Sequence, residues 1–137
     1  AKIEELRSGV PAAVTTAQAI LESGYGKQIP ADLDTGKYSY NLFGIKAHGS
    51  SQYVTIWTHE VVNGHRVRIR DRFMSYESFR ESIQDRTDFF RRNRRYAELF
   101  TSSDPEWWAI KLQEKGYATD TEYANKLIAI MHSWSLI

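Results

Sequence analysis

The segment Ala17-Gln18-Ala19-Ile20-Leu21-Glu22-Ser23-Gly24-Tyr25-Gly26 fixes where the first long helix of the chain ends. Residues that favour helices lead up to Glu22, and two glycines follow it. Glycine tolerates the left-handed backbone that commonly ends a helix. The stretch therefore predicts a helix from about Pro11 to Ser23, with Glu22 in its last turn.

Glu22 is the candidate catalytic residue of this stretch. The carbonyl end of a helix carries partial negative charge, which disfavours a second negative charge there. The helix body is apolar at Val14, Ile20 and Leu21, and an apolar setting also disfavours ionisation. Both effects raise the pKa of a carboxyl group, and a carboxyl that stays protonated near neutral pH suits a glycosidase acid. The alternative is an ordinary surface glutamate near a helix end.

Two further motifs connect this stretch to a known family. They are Asn41-Leu42-Phe43-Gly44-Ile45-Lys46 and Tyr117-Ala118-Thr119-Asp120-Thr121-Glu122-Tyr123-Ala124-Asn125-Lys126-Leu127. Together with the first stretch, and in this order, they resemble the signature of the glucosaminidases of glycoside hydrolase family 73, which are bacterial peptidoglycan hydrolases. The resemblance covers almost the whole chain. It implies a lysozyme-like domain whose substrate groove lies between a helical body and a small β-lobe.

The resemblance also implies an activity. We expect cleavage of the β-1,4 bond between N-acetylglucosamine and N-acetylmuramic acid, with the peptidoglycan glycan strand as the partner and no cofactor. Three alternatives stay open, namely a lytic transglycosylase, a muramidase and a catalytically silent glycan-binding module. The same resemblance implies a monomer that acts outside the cell, at the cell wall or in the periplasm.

Composition limits the other classes of protein. The 137 residues suffice for a single core, so residues 1–137 are expected to form one catalytic domain. The net charge is +1 and cysteine is absent, which excludes disulfides and thiolate metal sites. No apolar run is long enough to span a membrane. The stretch Ala1-Lys2-Ile3-Glu4-Glu5 lacks the apolar segment of a signal peptide.

A β-hairpin is predicted in the middle of the chain. Tyr53–Thr58 is rich in β-branched and aromatic residues, and Val67–Phe73 alternates apolar and polar positions. Asn63-Gly64 between them is a strong two-residue turn sequence. Helical patterns lie on both sides of the hairpin, so the predicted fold class is a mostly helical α+β domain.

Three main helices are predicted after the hairpin. Ser75 is the expected N-cap of the first, Asp104 and Pro105 open the second, and Thr119 forms a capping box with Glu122 at the start of the last. The expected core positions are Tyr76, Phe79, Ile83, Thr87 and Phe90 on the first helix, and Tyr123, Leu127, Ile130 and Trp134 on the last.

Glu60 is the second catalytic candidate. It precedes the predicted turn, and a carboxylate at the end of a hairpin can lean over a cleft. The segment Thr58-His59-Glu60-Val61-Val62-Asn63-Gly64 resembles that of flagellar-type family members, which implies that Glu60 acts as a base or an electrostatic stabiliser. A solvated glutamate at a hairpin tip is the alternative. Inversion, retention and assistance by the N-acetyl group of the substrate all stay open.

Further residues are expected around the reacting bond. The resemblance implies that Tyr117 lines the catalytic site, where its phenol would orient water or bond the N-acetyl group, and packing is the alternative. The expected substrate-binding residues are Tyr38, Asn41, Phe43, Lys46 and Tyr123. The amide of Asn41 can bond either the substrate or the backbone, and the backbone is the favoured partner. Tyr123 is expected to lie mainly in the core.

Two other kinds of site are disfavoured. His48, His59 and His65 flank the hairpin, but no pair has the short ligand spacing of a zinc site, so no metal is expected. The arginine-rich stretch Arg66–Arg95 is interleaved with acids, so most of it is expected on a solvated, paired surface. Only Arg91–Arg95 is a basic cluster without acids, and nucleic acid is not expected as a partner.

Overall fold

A computed structural model describes residue 5 and residues 7–137 of the chain. The elements are α1 Ala12–Glu22, β1 Tyr53–Val62, β2 His65–Met74, α2 Phe79–Arg92, a 3-10 helix Arg94–Thr101, α3 Pro105–Glu114 and α4 Tyr123–Ser133. The two strands form a small lobe, and α4 packs against both α1 and α3 in a helical body. The mostly helical α+β class is thereby confirmed. None of the helices among the described residues combines the length and the hydropathy of a membrane span.

The end of α1 lies where the sequence predicts it. The helix stops at Glu22, and the amide of Tyr25 bonds the carbonyl of Ile20 at 2.8 Å across the cap. Gly24 has φ 57°, and a Cβ there would lie 2.9 Å from the side chain of Gln28. Both conditions favour glycine, so the chain turns sharply just after the candidate acid.

The hairpin also follows the prediction, with longer strands. β1 pairs antiparallel with β2 from Tyr53 opposite Met74 to Val62 opposite His65. The two turn residues, Asn63 and Gly64, have φ 50° and 77°, as a type I′ turn requires. The turn therefore sets the register of the whole lobe.

Two segments hold the edges of the hairpin. Lys46 forms a bridge with Phe73 at the edge of β2. At the edge of β1, the Thr55 amide donates to the Asp32 carboxylate at 2.9 Å, and the Leu33 amide donates to the Thr55 carbonyl at 2.8 Å. Backbone donors, first that of Thr55, lower the pKa of Asp32 to about 2. The β-lobe is thus attached to the loops that precede it.

The core lies in the helical body and is strongly aromatic. The Trp108 ring lies 6.1 Å from Phe90 and 5.3 Å from Phe100, and its indole N–H donates to the Ser102 carbonyl at 2.7 Å. The buried cluster also includes Val10, Val14, Ala17, Leu99, Leu112, Leu127 and Met131. This packed body supports α1 and so fixes the position of Glu22.

The start of α2 differs from the prediction. The N-cap is Ser78, whose hydroxyl accepts from the Glu81 amide at 3.2 Å, and Ser75 is buried in the preceding segment. Phe79 is 41% exposed, so its predicted core position was wrong. Tyr76, Thr87 and Phe90 are buried as predicted.

The last two helices give mixed outcomes. Asp104 caps α3 as predicted, with its carboxylate accepting from the Glu106 amide at 3.1 Å. The capping box at Thr119 was wrong, because α4 begins only at Tyr123 and the Glu122 amide bonds Asp120 at 2.9 Å instead. The predicted stripe on α4 is buried at Tyr123, Leu127 and Ile130, whereas Trp134 is 58% exposed.

Candidate active site

Glu22 lies in a cleft of about 630 Å³. One wall is the end of α1 with α2 and the segment at Tyr117, and the other is the segment 43–48 beside the β-lobe. Its lining includes Glu22, Phe43, Lys46, His48, Arg86 and Tyr117. The cleft therefore brings together residues of all three motifs that the sequence singled out.

The carboxyl group of Glu22 is only partly accessible. Burial raises its pKa above the usual value, and a hydrogen bond from the Tyr123 hydroxyl opposes that rise. The raised pKa expected from the sequence is thus confirmed, with desolvation as the larger cause. Such a carboxyl can hold a proton closer to neutral pH and donate it within the cleft.

A chain of buried hydrogen bonds stands behind Glu22. The Gln18 amide nitrogen donates to the Tyr123 hydroxyl oxygen at 3.0 Å, which leaves the Tyr123 proton for Glu22. The Gln18 carbonyl accepts from Arg86 at 2.6 Å, and Arg86 also donates to the Thr15 hydroxyl at 2.5 Å. This network fixes the rotamers of both Gln18 and Tyr123, so it orients the candidate acid.

Tyr117 stands in the same cleft as Glu22. Its ring lies 5.7 Å from that of Tyr123 and 5.6 Å from that of Phe90. Burial raises the pKa of the Tyr117 phenol, and the nearby Glu22 charge adds to the rise. The phenol is therefore protonated at neutral pH and can donate a hydrogen bond into the cleft.

Glu60 is placed differently. It lies on β1 with its side chain 44% exposed, and among the described residues it is not part of the cleft lining that contains Glu22. Lys46 connects the two regions, because it lines the cleft and its ammonium lies 3.5 Å from Glu60 and 2.9 Å from Asp71. The pair with Asp71 raises the pKa of Lys46 most, so this lysine stays charged.

The expected substrate contacts divide into two groups. Phe43 and Lys46 line the cleft, and Tyr123 lies behind Glu22 with its ring in the core. Tyr38 lies instead in an aromatic cluster, 4.8 Å from Tyr40 and 6.1 Å from Phe79, apart from the cleft lining that the described chain forms.

Asn41 is buried and serves the backbone. Its amide nitrogen donates to the carbonyls of Ile45 and Met74 at 2.9 and 3.0 Å, and its oxygen accepts from the Ile45 amide at 3.1 Å. All these partners are main-chain groups, so the structure gives Asn41 a positioning role where the sequence also allowed a substrate contact. The side chain holds the segment that carries Phe43 and Lys46 against the end of β2.

Arg86 is the site residue that the sequence analysis missed. It is fully buried, although the stretch around it was expected on a solvated surface, and that expectation was wrong here. Its guanidinium lies 4.9 Å from the centre of the Phe43 ring and 5.2 Å from that of Phe90. Arg86 precedes Phe90 by four residues, so helical spacing alone would have placed it on the buried face.

Comparisons with known proteins find relatives of this chain. A family profile described as mannosyl-glycoprotein endo-beta-N-acetylglucosaminidase matches residues 1–136. The peptidoglycan hydrolase FlgJ of Escherichia coli strain K12 is 40% identical over 129 residues, which are 93% of this chain and 41% of that protein. The exo-glucosaminidase LytG of Bacillus subtilis strain 168 is 36% identical over 128 residues, 90% of this chain and 44% of that protein.

A solved structure confirms the fold. The C-terminally truncated glycoside hydrolase domain of Salmonella typhimurium FlgJ superposes with a TM-score of 0.84 at 36% identity, covering 99% of this chain and 91% of that one. The lysozyme-like arrangement implied by the resemblance is therefore present. The chain spans about two fifths of the length of the full relatives, and it belongs to the glucosaminidase family, glycoside hydrolase family 73.

Proposed function

We propose that residues 1–137 act as one peptidoglycan hydrolase domain that cleaves the β-1,4 bond between N-acetylglucosamine and N-acetylmuramic acid. The observation that carries this proposal is a carboxyl of raised pKa, Glu22, at the end of a helix in an open cleft. The names of the relatives, a peptidoglycan hydrolase and an exo-glucosaminidase, support it. Action as a monomer at the cell wall or in the periplasm belongs to the same proposal.

Glu22 donates its proton to the leaving sugar oxygen in this mechanism. Protonation makes this oxygen a better leaving group, while positive charge develops on the other sugar ring, whose C1–O bond breaks. The carboxylate that remains accepts the hydrogen bond of Tyr123, which is held in place by Gln18. Tyr117, as a protonated phenol in the cleft, bonds the N-acetyl group or the attacking water.

Glu60 acts as the base or the electrostatic stabiliser. It has to approach the sugar from the β-lobe, because Lys46 lies between it and the cleft. A bend of the two-stranded hairpin towards the helical body would bring Glu60 over the bound strand. The exposed pair with Lys46 is weak. It holds Glu60 at the edge of the cleft and can be exchanged for a substrate contact when the strand binds.

A lytic transglycosylase is the second candidate. The position of Glu60 favours it, because a lyase closes an anhydro ring within the muramic acid and needs no second carboxylate. The two activities differ in product mass by one water.

Mass spectrometry of released muropeptides tests both functions. Purified peptidoglycan is digested with the wild-type chain, and the released muropeptides are reduced with borohydride. A parallel digest with the Glu22→Gln variant should release at least 100-fold less muropeptide. Reduced N-acetylglucosamine ends are the expected result. Anhydro-muramic ends would establish the transglycosylase, reduced muramic ends a muramidase, and binding without release the silent module.

A further inference from the structure

The two faces of the hairpin differ sharply in charge. Side chains alternate along a strand, so every second residue of β2 points to the same side. The register puts Arg66, Arg68, Arg70 and Arg72 on one side together with Tyr53 and Trp57 of β1. We call these six residues the arginine face. Glu60 and Asp71 belong to the opposite side, and β1 and β2, both fully described, place no acid on the arginine face.

The arginines of this face are exposed, and three of them contact aromatic rings. Arg68 and Arg70 lie 4.2 and 5.1 Å from the centre of the Trp57 ring, and Arg72 lies 4.4 Å from that of Tyr53. Within the described residues, no carboxylate is within ion-pair distance of these guanidinium groups. A guanidinium on an aromatic ring is ordered, yet its N–H groups remain available for an anion.

Part of the arginine face lines a second cavity that joins the catalytic cleft. This cavity, about 600 Å³, is lined by Arg70 and Arg72 and shares Lys46, Ala47 and His48 with the cleft at Glu22. Lys46 and Asp71 neutralise each other at 2.9 Å. The charges that remain in the lining are the two arginines, so the extension of the cleft is positive.

We propose that this cavity binds the carboxylate groups of the peptide stem carried by the glycan strand whose bond lies at Glu22. The inference rests on the proposed function and adds a subsite to it. The sugar rings of such a strand offer hydroxyl and amide groups, whereas its peptide stems carry the negative charges. Arg70 and Arg72 can each bind a carboxylate through two N–H groups, and the shared lining keeps that stem next to the scissile bond.

Hydrolysis kinetics on two matched substrates test the subsite. One is soluble glycan strands with intact stems, and the other is the same strands after amidation of the stem carboxylates with carbodiimide and ammonium. The variant is Arg70→Gln with Arg72→Gln. The control is Arg80→Gln with Arg94→Gln, which removes two exposed arginines from α2 and the 3-10 helix. Thermal unfolding verifies that all proteins are folded.

The expected result is a KM for charged strands about tenfold higher in the Arg70/Arg72 variant, with a smaller change in kcat. The control variant should have the same KM and kcat as the wild type. On amidated strands the KM of the wild type should rise by the same factor, and the KM of the variant should not rise further. Added salt should raise the wild-type KM, since the contacts are exposed.

Two outcomes would overturn the subsite. One is an equal KM for the variant and its control on charged strands. The other is inhibition of the wild type by a glycerol phosphate polymer while stem amidation has no effect, which would assign the cavity to phosphate. If the wild type cleaves neither substrate, the proposed function fails, and sedimentation with the same strands still measures stem-dependent binding.

Discussion

At the scale of single residues, the burial of Glu22 has opposite effects on activity and on stability. Its folded-state pKa is raised, so the folded chain binds more protons than the unfolded chain between the ordinary value of 4.5 and the raised value. In that window the free energy of unfolding falls as the pH rises. An ionised Glu22 at neutral pH therefore lowers the stability of the folded chain, as is common where a site is shaped for function; the proposed use of Glu22 as an acid accounts for that burial.

Glu22→Gln should accordingly be more stable than the wild type at pH 7, since its amide stays neutral. Near pH 4, where the wild-type carboxyl is protonated, the two melting temperatures should converge. Thermal unfolding monitored by circular dichroism between pH 4 and 8 measures this. Glu98→Gln, an exposed glutamate paired with Lys111 on the body, is the matched control and should show no such convergence. A Glu22→Gln melting temperature below that of the wild type across the range would contradict the argument.

The position of a site residue can be predicted from the sequence for some residues and not for others. Glu22 could be placed because a local stop signal follows it directly. Arg86 was overlooked although its helical spacing from Phe90 indicates the buried face, because the acceptors that allow its burial, Gln18 and Thr15 of α1, lie far away in the chain. A charge pattern treats each arginine as solvated, and only the fold supplies the partners that make its burial tolerable.

At the scale of elements, the sequence predicted the ends of those helices and strands whose end depends on only a few neighbouring residues. The Asn63-Gly64 turn and the Asp104 cap are of this kind, since each needs only its own backbone conformation. The start of α2 was misplaced at Ser75, although Ser78 has Glu81 three residues later, the spacing of a capping box, and Ser75 has no such partner. The local signal was therefore present in the sequence, and Ser75 is buried in the segment before the helix.

The loop at Asp32 gives an element-scale prediction. Its carboxylate accepts from the amides of Thr55, Thr35 and Asp34 and so holds the loop to β1. The pKa of Asp32 is lowered to about 2, so its stabilisation is complete above the ordinary value of 3.8 and is lost as the pH falls towards 2. Asp32→Asn should lower the melting temperature at pH 7, and the difference from the wild type should shrink below pH 4.

Asp34→Asn is the control for this experiment, because Asp34 is an exposed neighbour in the same loop. It should leave the melting temperature unchanged at every pH. Thermal unfolding from pH 2 to 7 compares the three proteins. If the difference in melting temperature between Asp32→Asn and the wild type stays constant down to pH 2, ionisation of Asp32 is not what holds the loop.

At the scale of the whole molecule, the three motifs are distant in the chain and meet in one cleft. Their order in the sequence indicated the family, but the position of Glu60 depends on how the hairpin sits on the helical body. That relation is determined by the edge contacts of Lys46 and Asp32, which no local pattern predicts. The sequence therefore identified the catalytic candidates without showing that Glu60 lies outside the cleft lining.

Lys46 is the charged side chain that connects the lobe to the cleft, and it gives the last prediction. Lys46→Met should lower kcat about five- to tenfold, because Glu60 and Asp71 then share the lobe without a cation to position them. Stability should change by less than about 1 kcal/mol, as is usual for exposed pairs. Lys46→Arg keeps the charge and should recover most of the loss. Steady-state kinetics on solubilised peptidoglycan measure both variants.

Lys111→Met is the control, because Lys111 is a half-buried lysine that also has two carboxylate partners, Glu98 and Glu114, but it lies on α3 outside the cleft lining. It should leave both kinetic constants unchanged. Whether Lys46→Met changes KM or kcat distinguishes two roles for Lys46. A rise in KM alone would make it a direct substrate contact, whereas a fall in kcat that arginine restores identifies it as the residue that positions Glu60. Full activity in Lys46→Met would remove Lys46 from both roles and leave Glu60 to reach the substrate unaided.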